Sequence, residues 1–182
     1  MPTQALATAL RILLFRAGPQ DFPYSESLAR TIVPVAAMML FLQYRLTLPP
    51  LQAIVQAFAS LGVLAAFSYA MLQRRGLLNR LRQTLDSLFL TDAFMILFLL
   101  PPLSAIAPQM IRLADNPDLA RTESLPPLPA LAVMAVSMWN FLVTAHIYRH
   151  ALNTHFGTGA LTSLLSTLVT VSVATLISGL MA

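Results

Sequence analysis

The chain has 182 residues, of which 57% are hydrophobic and 10% charged, and its mean hydropathy is +0.73. Soluble domains are about one quarter charged, so this composition excludes an ordinary water-soluble domain and makes a lipid bilayer the solvent. The net charge of +4 rests on 11 basic residues, all arginine and none in a basic run interleaved with aromatics, which speaks against nucleic acid as a partner; without cysteine, disulfides, thiolate metal sites and cysteine nucleophiles are excluded.

At roughly 20 apolar residues per crossing, the length accommodates five or six short-looped spans and no separate globular domain. The predicted class is all-α: an integral membrane bundle of five transmembrane helices with an N-terminal interfacial helix. Residues 1–27 read as a cytoplasmic amphipathic segment and linker, and 28–182 as the membrane domain.

Leu6, Leu10, Leu13 and Leu14 recur at i, i+4, i+7 and i+8, the spacing of one helical face. With Arg11 and Arg16 flanking it, this face predicts a helix lying in the membrane interface. It lacks the small-residue cleavage pattern of a signal peptide. Gly18 to Ser27 is a turn-rich linker in which Asp21 and Ser25 or Ser27 can cap the next helix.

The first span is expected over about 31–48, with Pro34 in its first turn and Pro49 and Pro50 ending it. A second span, about 51–72, carries Ala59, Gly62, Ala66 and Ala70, a small-residue stripe suited to close helix packing. Gln52 and Gln56, one turn apart near its start, are expected to face headgroups or a neighbouring helix. The third span runs about 84–100 and is closed by Pro101 and Pro102. The loop expected from Pro101 to Pro129 holds seven of the chain's 13 prolines, with PQMIRLA as at most a short interfacial turn. A fourth span covers about 128–148.

The last span, about 158–181, has no charge. Thr162, Ser166, Thr170, Ala174 and Ser178 form one i+4 row, and Gly159, Ser163, Thr167, Val171, Thr175 and Gly179 form the next. This broad face predicts close packing inside the bundle.

Arginine placement predicts topology. With the N-terminus cytoplasmic, the inner segments hold Arg11, Arg16, Arg30, Arg74, Arg75, Arg80, Arg82 and Arg149, and the outer ones only Arg45, Arg112 and Arg121. Five spans then put the C-terminus outside. All-arginine usage and short loops favour a bacterial inner membrane, with a periplasmic C-terminus. Arg74, Arg75, Arg80, Arg82 and Arg149 would form a basic cytoplasmic face.

Two aspartates lie where charge is expensive, about 2.5 to 3.5 kcal/mol at a span's centre. Counting about 1.5 Å per residue from Arg82, Asp86 is roughly 6 Å deep and Asp92 roughly 15 Å; counting back from Arg149, His146 is roughly 5 Å deep and Asn140 roughly 14 Å. If the third and fourth spans are neighbours, Asp86 pairs with His146 and Asp92 with Asn140. Such pairs either lock two helices together, the preferred reading, or relay protons or ions.

His146 and His150 share a helical face, and His155 follows, but an HxxxH spacing without the glutamate of HExxH is a weak metal signal. Histidines at a membrane boundary are the preferred reading, and no cofactor is expected. No phosphate loop, serine nucleophile elbow or paired catalytic carboxylates in a loop supports an enzyme.

The layout of LRILLFRAGPQDFPYSESLA before the first span, RRGLLNRLRQTLDSLFLTDA entering the third and VSMWNFLVTAHIYRHAL ending the fourth resembles the Yip1 domain family of five-span membrane proteins. The resemblance covers nearly the whole chain in hydropathy, without a clear copy of the acidic Tyr-Gly-Pro element of eukaryotic members. It implies a membrane-organising or trafficking factor. The expected function is therefore a non-enzymatic scaffold or assembly factor acting by helix packing, with the bilayer, other membrane proteins or further copies of itself as partners. The alternative is a small transporter or channel subunit with Asp86, Asp92 and His146 in its polar path.

Overall fold

The computed structural model describes residues 2–121 and 123–181, and every regular element among them is helical. The α-helices are α1 (Pro2–Leu13), α2 (Glu26–Tyr44), α3 (Pro50–Arg74), α4 (Leu81–Asp115), α5 (Pro127–Ala151) and α6 (Phe156–Met181). Helices α2 to α6 are each long and apolar enough to cross a membrane, which gives the chain the architecture of a multi-pass membrane protein.

These five helices close into a ring. Helix α2 packs on α3, α3 on α6, α6 on α5, α5 on α4 and α4 back on α2. The short turns at Leu78–Arg80 and around Asn153 put α3, α4, α5 and α6 in alternating directions, so Arg74, Arg80, Arg82 and Arg149 collect at one end, here the arginine end. Gly76 (φ 66°) and Asn153 (φ 51°) supply the left-handed residue that stops α3 and α5. The Leu77 amide then donates back to the Leu72 carbonyl at 2.9 Å and the Thr154 amide to Arg149 at 2.9 Å, satisfying carbonyls the helix leaves open.

Helix α1 packs against α4 and α5 through Ala5, Ala9, Ile12 and Leu13, all buried. Of the predicted leucine face only Leu13 is inward; Leu6, Leu10 and Leu14 are exposed. Alanines let the helix axis approach the bundle, which leaves the long leucines for the surrounding solvent. Phe15, at φ 59°, turns the chain, and its ring lies on Trp139 and His146 at centroid distances of 5.5 and 5.3 Å.

Several boundaries differ from the sequence expectations. Helix α2 ends at Tyr44, and the proline pair after it opens the next helix: Pro49 is the N-cap of α3 and Pro50 its first residue, where a missing amide costs nothing. Pro101 and Pro102 do not close the third span, because α4 continues for 35 residues to Asp115 with Pro101, Pro102 and Pro108 inside it. Each proline forfeits one amide bond, a loss that the rest of the α4 ladder outweighs. The Ser104 hydroxyl donates to the Pro101 carbonyl at 2.8 Å, and Gln109 Nε2 donates to the Ser124 carbonyl at 2.9 Å, tying the returning chain to the helix.

The small-residue stripe of α3 also points away from the bundle. Ala59 is half-buried, Gly62 and Ala66 are exposed, and the packed face is instead Ala53, Ala57, Ser60, Leu61, Ser68 and Leu72. Helix α6, expected inside, is the most peripheral of the five: 6% of its apolar window is buried, against 39% for α4. Its burial is confined to Gly159, Thr162, Ser163 and Ser166 in the first three turns, and Thr170 is half-buried.

Candidate functional site

Helix α4 carries its polar residues by satisfying them locally. Thr84, Ser87 and Thr91 donate to the carbonyls of Arg80, Gln83 and Ser87 at 2.8, 2.7 and 2.7 Å, so these hydroxyls are buried without needing a partner helix. Asp92 follows them and has no such recourse, since a carboxylate offers only acceptors. Asn140 Nδ2 on α5 donates to Asp92 Oδ1 at 2.9 Å. The other amide atom, Asn140 Oδ1, is buried with no hydrogen-bond partner among the described residues.

Asp92 and Asn140 form part of the wall of a cavity of about 360 Å³ enclosed by the ring of α2 to α6. Tyr44 and Ser60 join its wall and share a hydroxyl–hydroxyl bond of 2.8 Å between α2 and α3. Ser137, Thr144, Ser163 and Ser166 add further oxygens, while Leu61, Leu64, Met95 and Ile96 supply apolar wall. No arginine or histidine lines the chamber, and among the described residues no basic group pairs with Asp92.

The arginine end of the chamber is shut. Val143, Tyr148, Ser68, Leu72 and Thr84 are all fully buried there, and Ser68 and Tyr148 share a hydroxyl–hydroxyl bond of 2.9 Å that reaches across the ring from α3 to α5. Lining residues Ser137 on α5 and Thr167 and Val171 on α6 are exposed; at about 1.5 Å per residue they lie roughly 16 to 23 Å from the arginine end, level with Asp92 or a little beyond it, so the chamber opens sideways along the α5–α6 seam.

The second predicted pair does not form. Asp86 is buried beside Arg82, with Nε to Oδ2 at 4.0 Å, and faces the α2 side near Tyr24. His146 Nε2 instead donates to the Ala17 carbonyl at 3.0 Å. Matching depth neglected rotation: six residues at about 100° each put Asp86 and Asp92 roughly 240° apart on α4, so both cannot face α5.

Comparison with protein-family models, curated proteins and solved structures found no match.

The histidines serve the N-terminal segment more than one another. His146 and His150 meet edge-on at 4.5 Å between ring centroids, Phe15 covers His146, and exposed His155 bonds Thr158 at 3.1 Å. Among the described residues no group of three or more His, Asp or Glu is placed to hold a metal ion. Trp139 Nε1 donates to the Leu13 carbonyl at 3.1 Å, another tie between α5 and this segment.

The predicted basic face divides in two. Arg80 donates to the His150 carbonyl at 3.2 Å, and Arg82 donates to the Ser25 carbonyl at 3.1 Å beneath the Tyr24 ring, so these two knit helix ends together. Arg74, Arg75 and Arg149 are exposed. Tyr44, Ser60 and Ser137 escaped the sequence reading: a tyrosine ending a span reads as an interfacial anchor, and isolated serines carry no periodic signal.

Proposed function

We propose that this protein carries a small solute across a membrane, alone or as a subunit, with the ring cavity as its chamber and Asp92 as the charged group that selects the solute. One observation carries this reading: an acidic side chain in the wall of a chamber of about 360 Å³ with no basic residue among the described ones to compensate it. A carboxylate that only locked α4 to α5 would be packed over. With an opening of its own the chamber is not a sealed void, and water, a lipid chain or a solute fills it.

The arginine distribution supports a cytoplasmic arginine end, and all-arginine usage with short loops supports a bacterial inner membrane. The scaffold reading, to which the Yip1 resemblance points, draws on the exposed Arg74, Arg75 and Arg149 as a surface for partners. It leaves the chamber without a role.

Reconstituted vesicles separate the two. The native protein is expected to admit Rb⁺ or methylammonium faster than empty vesicles, and Asp92→Asn to abolish the difference while keeping helicity and a monodisperse elution profile. Asp86→Asn, outside the chamber, is expected to retain most of the flux. Equal flux through native and Asp92→Asn protein, or none above empty vesicles, would hand the case to the scaffold.

A further inference from the structure

The chamber's walls say more about its occupant than that it is small. Asp92 is the sole charged residue among those lining it, so the field inside is negative and an anion would meet an uncompensated carboxylate. The other polar groups on the wall are hydroxyls and amides, and Asp92 Oδ1 is already held by Asn140, which orients the carboxylate without neutralising it. That wall favours a cation over an anion as the occupant.

Size then separates classes of cation. A water molecule takes about 30 Å³, so a proton relay or a single dehydrated alkali ion would leave most of about 360 Å³ to water. The volume falls at the lower end of the roughly 300–1,000 Å³ typical of sites for small organic ligands. The apolar part of the wall agrees with an organic body. Leu61, Leu64, Met95 and Ile96 line it, a thioether adapts to irregular shapes, and Tyr44 and Phe141 bring aromatic residues to the wall.

We propose that the cavity is a binding site for a small organic cation, an ammonium group set against Asp92 with an apolar body among the leucines and Met95. This assignment rests on the transport reading in taking the chamber as functional, and it adds the class of substrate.

Benzyltrimethylammonium is a suitable probe, and equilibrium binding to purified protein in discs of uncharged lipid tests the assignment without requiring transport. Saturable binding is expected to the native protein, weakened at least tenfold in Asp92→Asn and kept within about threefold in Asp92→Glu. Benzenesulfonate, similar in size but anionic, is expected not to bind. Ser137→Trp, at an exposed position in the chamber wall, is expected to weaken the probe at least fivefold while leaving helicity and elution unchanged. No saturable binding by a helical, monodisperse native protein overturns the assignment, as does equal affinity in Asp92→Asn. Uptake of Rb⁺ without probe binding overturns it while leaving the transport reading standing. Probe binding without uptake of any cation overturns the transport reading alone.

Discussion

At Gly159 the backbones of α5 and α6 meet so closely that a Cβ would overlap the Ala145 carbonyl oxygen and stand 2.9 Å from Arg149 Cβ. Backbone cannot yield as a flexible side chain does, so Gly159→Ala is expected to destabilise the protein by about 1–3 kcal/mol, the usual cost of overpacking. Around Gly62 nothing lies within 4 Å, and Gly62→Ala is expected to be neutral or to gain up to about 1 kcal/mol of helix propensity. Thermal unfolding of the two variants in detergent checks both; equal effects would mean that α6 does not sit against α5 as described. Both glycines belong to small-residue rows in the sequence, and periodicity could not tell which row packs. The same limit applied to the aspartates. Depth along a helix is legible from residue count, which placed Asp92 beside Asn140, but rotation about the axis depends on the neighbour, which left Asp86 with Arg82 instead of His146. Tyr148 and Ser68, both fully buried, make a further residue-level test. Tyr148→Phe takes a partner from both Ser68 and Ser166 and is expected to cost about 1–3 kcal/mol, whereas Ser68→Ala leaves Tyr148 bonded to Ser166 and is expected to cost less. The double variant is expected to cost less than the two together, and strict additivity in a double-mutant cycle would deny the bond.

Among the elements, α4 organises the others, touching α1, α2, α3 and α5 and carrying Asp92. Its existence was readable from the apolar run after Arg82, and its end was not, because each of Pro101, Pro102 and Pro108 removes a single amide bond and the helix continues past all three to Asp115. The chain has no cysteine, so single cysteines can be placed at will. Scanned from position 97 to 111, their reactivity toward a membrane-impermeant thiol reagent is expected to rise and fall with a period near 3.6, lowest around the buried Ile106 and Ala107. Uniform reactivity after Pro102 would show a loop there. Helix α1 teaches the complementary lesson: its amphipathic pattern announced a helix, but which side was inward depended on alanines, whose burial hydropathy weighs lightly.

For the molecule as a whole, the lengths of the helices constrain how the ring sits in a membrane. Arg82 is bonded to Ser25 at the arginine end, so α2 and α4 start level, and α2 ends at Tyr44 while α4 runs on to Asp115. At about 1.5 Å per residue α4 is roughly 52 Å long, well beyond a hydrocarbon core of about 30 Å, and its excess must emerge at the end opposite the arginines. The exposed wall residues Thr167 and Val171 lie only roughly 16 to 23 Å along α6, so the chamber sits well inside the end where α4 projects. With the arginines on the cytoplasmic side, that end is the outer side. Cysteine replacing Asn79, between α3 and α4, is then expected to react with an impermeant maleimide only after the cells are opened, whereas cysteine replacing Asn116 or Ser124 reacts in intact cells. Cysteine replacing Thr167, in the chamber wall, is expected to react slowly and to be protected by benzyltrimethylammonium. The opposite labelling pattern at positions 79, 116 and 124 would invert the topology and put the arginine end on the outer side.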